Sequence, residues 1–327
     1  MNLTSYISQK VVRNRIRRAY DRTESVGPRE PHVPKLPGTD PRLIGTAFDY
    51  LLRFHVERLN PGAISGTWIA ETVGLKIGKD FADKGYLHVQ VGTACINGKQ
   101  ERIYGADEDS AGTVRRVRLA LEHARTEHRR YISGGPLRRE LLISCCVLVR
   151  LDWMYRSGRD LPSDWAAYEE SDLIELRQLI EAVDPSLFKA SKRCVLNPHF
   201  RTNLLAADGD LLIDDKIIEI KVVSRYRQDQ RDWDQLLGYY ALYRHAGVEG
   251  IHRNAQIRHL GIYSARFARY QEVDLSGEQF EKIEKLSKWM IDRLQRDKAR
   301  WDATAAKWAT VVKPIATVAS LWGRHTT

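Results

Sequence analysis

Ala207-Asp208-Gly209-Asp210-Leu211-Leu212-Ile213-Asp214-Asp215-Lys216-Ile217-Ile218-Glu219-Ile220-Lys221-Val222-Val223 decides how this chain is read. Two apolar strands flank a short acidic turn, and Asp208, Asp210, Glu219 and Lys221 interrupt them where an ordinary core would be hydrocarbon. Ionised groups in such strands are costly unless they are paired or hold a metal. Successive side chains of a strand point to opposite faces. Ile218, Ile220 and Val222 therefore form one apolar face, and Ile217, Glu219, Lys221 and Val223 the other. A two-residue reversal at Asp214-Asp215 is compatible turn chemistry. It sets Ile213 against Lys216, Asp210 against Glu219 and Asp208 against Lys221, so the four polar groups share one face as cross-strand neighbours.

Opposed carboxylates repel each other unless a cation lies between them or one keeps its proton. Hard oxygen donors placed this way suit Mg²⁺ or Mn²⁺, which use one or two protein carboxylates and keep waters or substrate phosphate as the other ligands. Such an ion polarises a phosphate oxygen and lowers the pKa of a bound water. Lys221 is then placed to orient that water or to stabilise charge growing on the phosphate. The competing reading is a solvated hairpin whose Asp208–Lys221 pair is a surface ion pair of little energetic consequence.

Downstream, Trp233, Leu236, Leu237, Tyr240 and Ala241 recur near helical spacing, which predicts a helix over Asp232 to His245 with Gly247 just beyond its end. Gln235 and Tyr239 are four apart and share a face of it. An aspartate, a hairpin, Glu219-x-Lys221 and a helix bearing Gln235-x-x-x-Tyr239 together resemble the PD-(D/E)XK nuclease superfamily, in its RecB-like branch. Gly45-Thr46-Ala47-Phe48-Asp49 resembles that branch's first core helix, with Asp49 where the branch has histidine. The resemblance implies a restriction-endonuclease-like α/β core with a small mixed sheet. It implies that Asp210 and Glu219 hold Mg²⁺ or Mn²⁺, with the Ile220 carbonyl as a further ligand and Asp49 as a candidate one. Lys221 becomes the catalytic lysine, Gln235 and Tyr239 line the site beside the cleaved strand, and Asp208 supports the cluster. The expected activity is metal-dependent hydrolysis of phosphodiester bonds, in DNA rather than RNA. The alternative is a catalytically silent nucleic-acid-binding scaffold of the same fold.

Composition agrees with such a partner. The chain has 327 residues, 52 Lys+Arg against 42 Asp+Glu, and a net charge of +10, an excess that suits a polyanion. Arginine is dense between Arg115 and Arg139, and Arg115, Arg116, Arg129 and Arg130 are candidate phosphate contacts, against the plainer reading of a solvated helical face. Four cysteines, Cys95, Cys145, Cys146 and Cys194, suggest neither a zinc site nor a disulfide framework. None follows the catalytic motifs, so no iron–sulfur cluster is expected. Gly74-Leu75-Lys76-Ile77-Gly78-Lys79 lacks the spacing and the Ser/Thr of a phosphate loop, so no nucleotide cofactor or fused motor is expected either. With no apolar leader and no apolar run of spanning length, a cytoplasmic protein with no membrane partner is expected. A nuclease without a motor suits defence against foreign DNA, or repair.

Along the chain, residues 5–24 read as one basic helix and residues 27–41, with five prolines, as an extended linker or wrap. The expected division is residues 1–40 as this basic helix and proline-rich linker, 41–311 as the nuclease domain and 312–327 as a tail. The domain's core would be 41–60 and 190–311, with a mainly helical insertion over 61–189. Strands near 260–263 and 270–273 extend the sheet. The long amphipathic helix from Ser276 packs on it or receives a protein partner or a second copy.

Overall fold

The computed structural model describes residues 2–20, 29–72, 89–96, 99–105, 108–157, 164–226, 230–251 and 255–312. In chain order these form α1 (Leu3–Ile7), α2 (Lys10–Ala19), α3 (Pro41–Leu59), β1 (Ile64–Ser65), β2 (Val89–Ile96), β3 (Lys99–Gly105) and α4 (Glu108–Ile132). There follow α5 (Arg139–Ser157), α6 (Glu170–Glu181), β4 (Cys194–Leu196), β5 (Leu211–Ile213), β6 (Lys216–Lys221), α7 (Gln230–Ala246), β7 (His259–Ser264), β8 (Arg269–Asp274) and α8 (Gly277–Val312).

The hairpin adopts the register its turn implies. Ile213 lies opposite Lys216, Leu212 opposite Ile217 and Leu211 opposite Ile218. Asp214 takes the left-handed conformation, φ 53°, and its carboxylate accepts the backbone N–H groups of Ser191, Lys192 and Arg193. The turn thus also ties the hairpin to the segment leading into β4. Those bonds outweigh partial burial and hold the Asp214 carboxyl below its ordinary range. Strands β4, β5 and β6 are antiparallel neighbours; β7 joins β6 in parallel after the α7 crossover. β8 closes that side antiparallel to β7, and β1 adds parallel to β4 at the other edge. The result is one six-stranded mixed sheet, with β2 and β3 a separate hairpin.

Strand parity divides the core in two. Leu196, Leu211, Ile213, Ile218, Ile220 and Tyr263 bury against α3 and the helices α4 to α6. Val195, Leu212, Ile217, Leu260 and Ile262 bury on the opposite side against α1, α2, α7 and α8. Each such aliphatic side chain removed from water stabilises the fold by about 1.5–3 kcal/mol. The mixed α/β class expected from the sequence is therefore observed, with helices on both sheet faces. Among the described residues no helix is long and apolar enough to cross a membrane.

The amino-terminal expectation needs correction. The basic segment is two helices broken at Ser8-Gln9, and residues 21–24 of its expected span lie outside those described. Both helices pack into the fold. Leu3, Tyr6, Ile7, Val12 and Ile16 are buried in the second core, and the Tyr6 hydroxyl donates to the Met290 carbonyl of α8 at 3.0 Å. Leu3 lies where a Cβ on Gly238 of α7 would stand, 2.7 Å from its Cδ1. Basic residues dominate the composition of this segment, while the apolar residues between them fill one continuous face. The proline-rich segment is likewise a wrap. The Val33 N–H donates to the Arg266 carbonyl at 2.8 Å and Leu36 N–H to Glu175 at 2.7 Å. Residues 313–327 of the expected tail lie outside those described.

Glu175 and Arg266 form an ion pair with both side chains almost wholly buried, and Glu175 also accepts from the Thr39 hydroxyl. Removing one member of a buried pair strands the other charge. Glu175→Ala is expected to lower unfolding stability by about 3–5 kcal/mol, read as a fall in the urea midpoint; an unchanged midpoint would show that the clamp contributes nothing.

Candidate active site

The β5–β6 ladder stops at Leu211–Ile218, one step short of Asp210 and Glu219. There the Asp210 carboxylate replaces the missing strand: it accepts the Ile220 N–H at 2.7 Å. A strand residue turns its N–H and C=O to the same edge, so the Ile220 carbonyl faces the Asp210 side as well. Glu219 is 4% exposed; one carboxylate oxygen accepts from Lys221 Nζ at 2.8 Å and the other is buried with no partner. Lys221 Nζ also reaches Gln235 Oε1 at 3.3 Å and Asp232 Oδ1 at 3.4 Å. Gln235 passes its amide N–H to the Tyr239 hydroxyl at 2.7 Å, and the Tyr239 ring stacks on Phe200 with centroids 5.3 Å apart. Helical spacing puts Asp232, Gln235 and Tyr239 on the α7 face that overlies β6.

From the other side of the sheet, α3 brings Asp49. One oxygen pairs with Arg53 at 2.6 Å, and the other is buried without a partner. The Asp49 charge is close enough to push up the pKa of both Asp210 and Glu219. Burial is the largest cause of the upward shift in each. Glu219 adds to it for Asp210, while Lys221 works against it for Glu219. Burial alone would pull Lys221 down. The carboxylates of Glu219, Asp232 and Asp210 outweigh it and hold the ammonium above its ordinary range, so Lys221 is charged at neutral pH. Burial, followed by the charges of Glu219 and Asp210, raises the Tyr239 hydroxyl, which stays protonated.

Asp210, Glu219, Lys221, Gln235 and Tyr239 thus converge, with Asp49 and the Ile220 backbone beside them. Asp208 does not face Lys221. It pairs with His199 at 2.7 Å on the exposed side, in a bridge to the strand that continues β4. The short ladder is the reason: upstream of Leu211 the backbone bonds to Asn197 and Pro198 instead of following β6. Of the candidate phosphate contacts, Arg115, Arg116 and Arg129 are exposed on α4, whereas Arg130 is engaged by Glu127 at 2.6 Å and by the Pro136 carbonyl. Sequence reasoning missed Asp232, Arg53 and Phe200. Helical spacing makes two of them legible: Asp232 stands three residues before Gln235 on α7, and Arg53 four residues after Asp49 on α3. Phe200 is brought in by tertiary packing.

Among the described residues no group of three or more His, Cys, Asp or Glu side chains forms a ready metal cage. Two carboxylates with raised pKa, a partnerless buried oxygen on Glu219 and a strand carbonyl nevertheless fit an ion that retains most of its own waters. Comparison with protein-family models, with curated proteins and with solved structures returned no match.

A carboxyl raised by the fold contributes most stability below its unfolded pKa, and that contribution is lost as pH climbs through the folded value. Asp210 and Glu219 therefore weigh against the metal-free fold at neutral pH. Asp210→Asn keeps an oxygen for the Ile220 N–H and removes the charge. In chelator at pH 7.5 it is expected to melt at least about 2 °C above the parent chain, the gap closing near pH 4. A lower melting temperature for the variant at pH 7.5 would mean that the carboxylates are not in conflict.

Proposed function

We propose that this chain is a divalent-metal-dependent nuclease of the PD-(D/E)XK type, hydrolysing phosphodiester bonds, with DNA as substrate. The observation that carries the reading is the buried, partnerless carboxylate oxygen of Glu219, with Asp210 and Asp49 near enough to act on one another's charge and a charged lysine 2.8 Å from Glu219. A plain structural ion pair would balance its charges; this corner holds an excess of negative ones that a cation and an anionic substrate complete. The order of elements supports it too. Helix α3, three antiparallel strands, helix α7 and a parallel strand bring the residues of the resemblance into one corner.

In this reading Asp210, Glu219 and the Ile220 carbonyl hold Mg²⁺ or Mn²⁺, with Asp49 adjacent. The ion supplies a polarised phosphate and a more acidic water. Lys221, being protonated, acts as a donor and counter-charge rather than as the base, positioned against charge developing on the phosphate. Gln235 fixes Lys221 through its carbonyl and holds the Tyr239 hydroxyl through its amide. Tyr239, braced by Phe200, presents a neutral phenol to the substrate strand.

The silent-scaffold alternative draws on two observations: Lys221 already covers one Glu219 oxygen, and no three-donor group exists among the described residues. Calorimetry separates the two, because the nuclease binds Mn²⁺ through Glu219 and the scaffold does not.

Purified protein with Mg²⁺ or Mn²⁺ is expected to degrade DNA offered as linear, circular and single-stranded forms. Lys221→Ala should reduce the rate by about 10²–10³-fold or more. Cleavage by that variant at the parental rate would rule out this mechanism. Mn²⁺ is further expected to raise the melting temperature of the parent chain but not of Glu219→Gln.

A further inference from the structure

Beyond Lys221 the chain enters a loop that carries Tyr226, and this side chain is in an unusual state. It is 7% exposed, yet its hydroxyl is buried with no hydrogen-bond partner among the described residues. Two guanidinium groups lie on its ring: Arg29 at 5.5 Å and Arg269 at 5.4 Å from the centroid. Phe267 packs edge-on at 5.0 Å and fixes the ring. Neither arginine has an acidic partner among the described residues. Each comes from a different part of the fold. Arg29 opens the proline-rich wrap that Val33 staples to the Arg266 carbonyl, and Arg269 begins β8. An unpaired buried phenol costs stability, and two cations gathered on one ring repel; a shared acceptor would relieve both.

The register locates this cluster relative to the site. Lys221 lies opposite Ser264, and Ser264 opposite Arg269. Directly opposed residues share a sheet face, so Arg269 stands on the face of Lys221, two strand spacings or about 10 Å away. Successive phosphates of one strand are spaced well beyond the ~3.4 Å axial rise of the duplex, so that gap covers about one to two steps along a strand. We infer that Arg29, Arg269 and the Tyr226 hydroxyl form a phosphate subsite that grips the nucleic-acid backbone about one to two nucleotides from the bond cut beside Lys221. Planar guanidinium forks suit phosphate oxygens, and the phenol supplies a neutral donor. The inference rests on the nucleic-acid reading above, but not on catalysis.

The test measures binding of fluorescent single-stranded DNA by anisotropy in chelator across a salt series, for the full chain and for Arg29→Gln/Arg269→Gln. The double variant is expected to bind at least about tenfold more weakly. Its plot of log affinity against log salt should flatten by about 0.7 for each phosphate that the variant no longer neutralises. Tyr226→Phe retains the packed ring and should weaken binding by about two- to tenfold; it keeps the test decisive if the double variant melts early. Hydrolysis of bis(p-nitrophenyl) phosphate with Mn²⁺, too small to span the gap, should be unchanged in both. Affinity and slope equal to the parent's in both variants would sink the subsite and leave the nuclease reading standing. A parent chain that cleaves nothing while the slopes shift would do the reverse. Circular strands should show the same weakening; an effect confined to linear strands with a 5′-phosphate would overturn the internal position.

Discussion

Asp210 and Glu219 stand at the point where the β5–β6 ladder ends, close to a third carboxylate from α3. Their burial would be unfavourable in any protein, and three features contain it here. Lys221 lies against Glu219, the Ile220 N–H serves Asp210, and Arg53 holds Asp49. The compensation is incomplete, since Asp49 and Glu219 each keep a buried oxygen without a partner. Much of the surrounding architecture can be understood as what is needed to hold this imbalance in place.

Both helical layers serve that end. The face of β6 carrying Ile218 and Ile220 is sealed by α3 and the helices after it, and α3 brings Asp49 close to Asp210 and Glu219. The opposite face is covered by α7 and α8, whose packing is completed by α1 and α2. Leu3 seats against Gly238, next to Tyr239, so the amino terminus braces the helix that carries Gln235 and Tyr239. The proline-rich segment is clamped by Glu175 and Arg266, both buried, and leads back to Arg29 near the loop after Lys221. Segments far apart in the chain thereby converge on one end of the sheet.

Electrostatics shape how the corner can act. Lys221 remains an ammonium because the surrounding carboxylates outweigh its burial, so its role is that of a fixed positive charge and donor. Tyr239 remains a neutral phenol for the complementary reason, burial beside negative charge. A site with these protonation states favours an anionic ligand only once its own carboxylates are neutralised, so the proposed function requires cation and substrate binding to be coupled.

Alternation along Lys216–Lys221 and a two-residue turn were sufficient to read from sequence which side chains share a face, because strand parity is a local property. The pairing of Ile213 with Lys216 follows from that, and helical spacing puts Gln235 and Tyr239 on one face of α7. Their meeting with Asp210 and Glu219 is implied in sequence only by the family resemblance, and is made by the packing of α7 on β6. Asp208 was misjudged because parity says nothing of where a ladder stops, and here the backbone leaves β6 to bond with residues 197 and 198. The basic amino-terminal helices stand out in sequence by their charges, yet their place is set by a buried apolar face that only its partner on α8 makes meaningful. Arg53's grip on Asp49 is a local i,i+4 pair on α3, whereas Asp49's nearness to Asp210 and Glu219 and the meeting of Arg29 with Arg269 over Tyr226 join residues distant in sequence. Such contacts depend on how layers pack, and only the folded chain decides them.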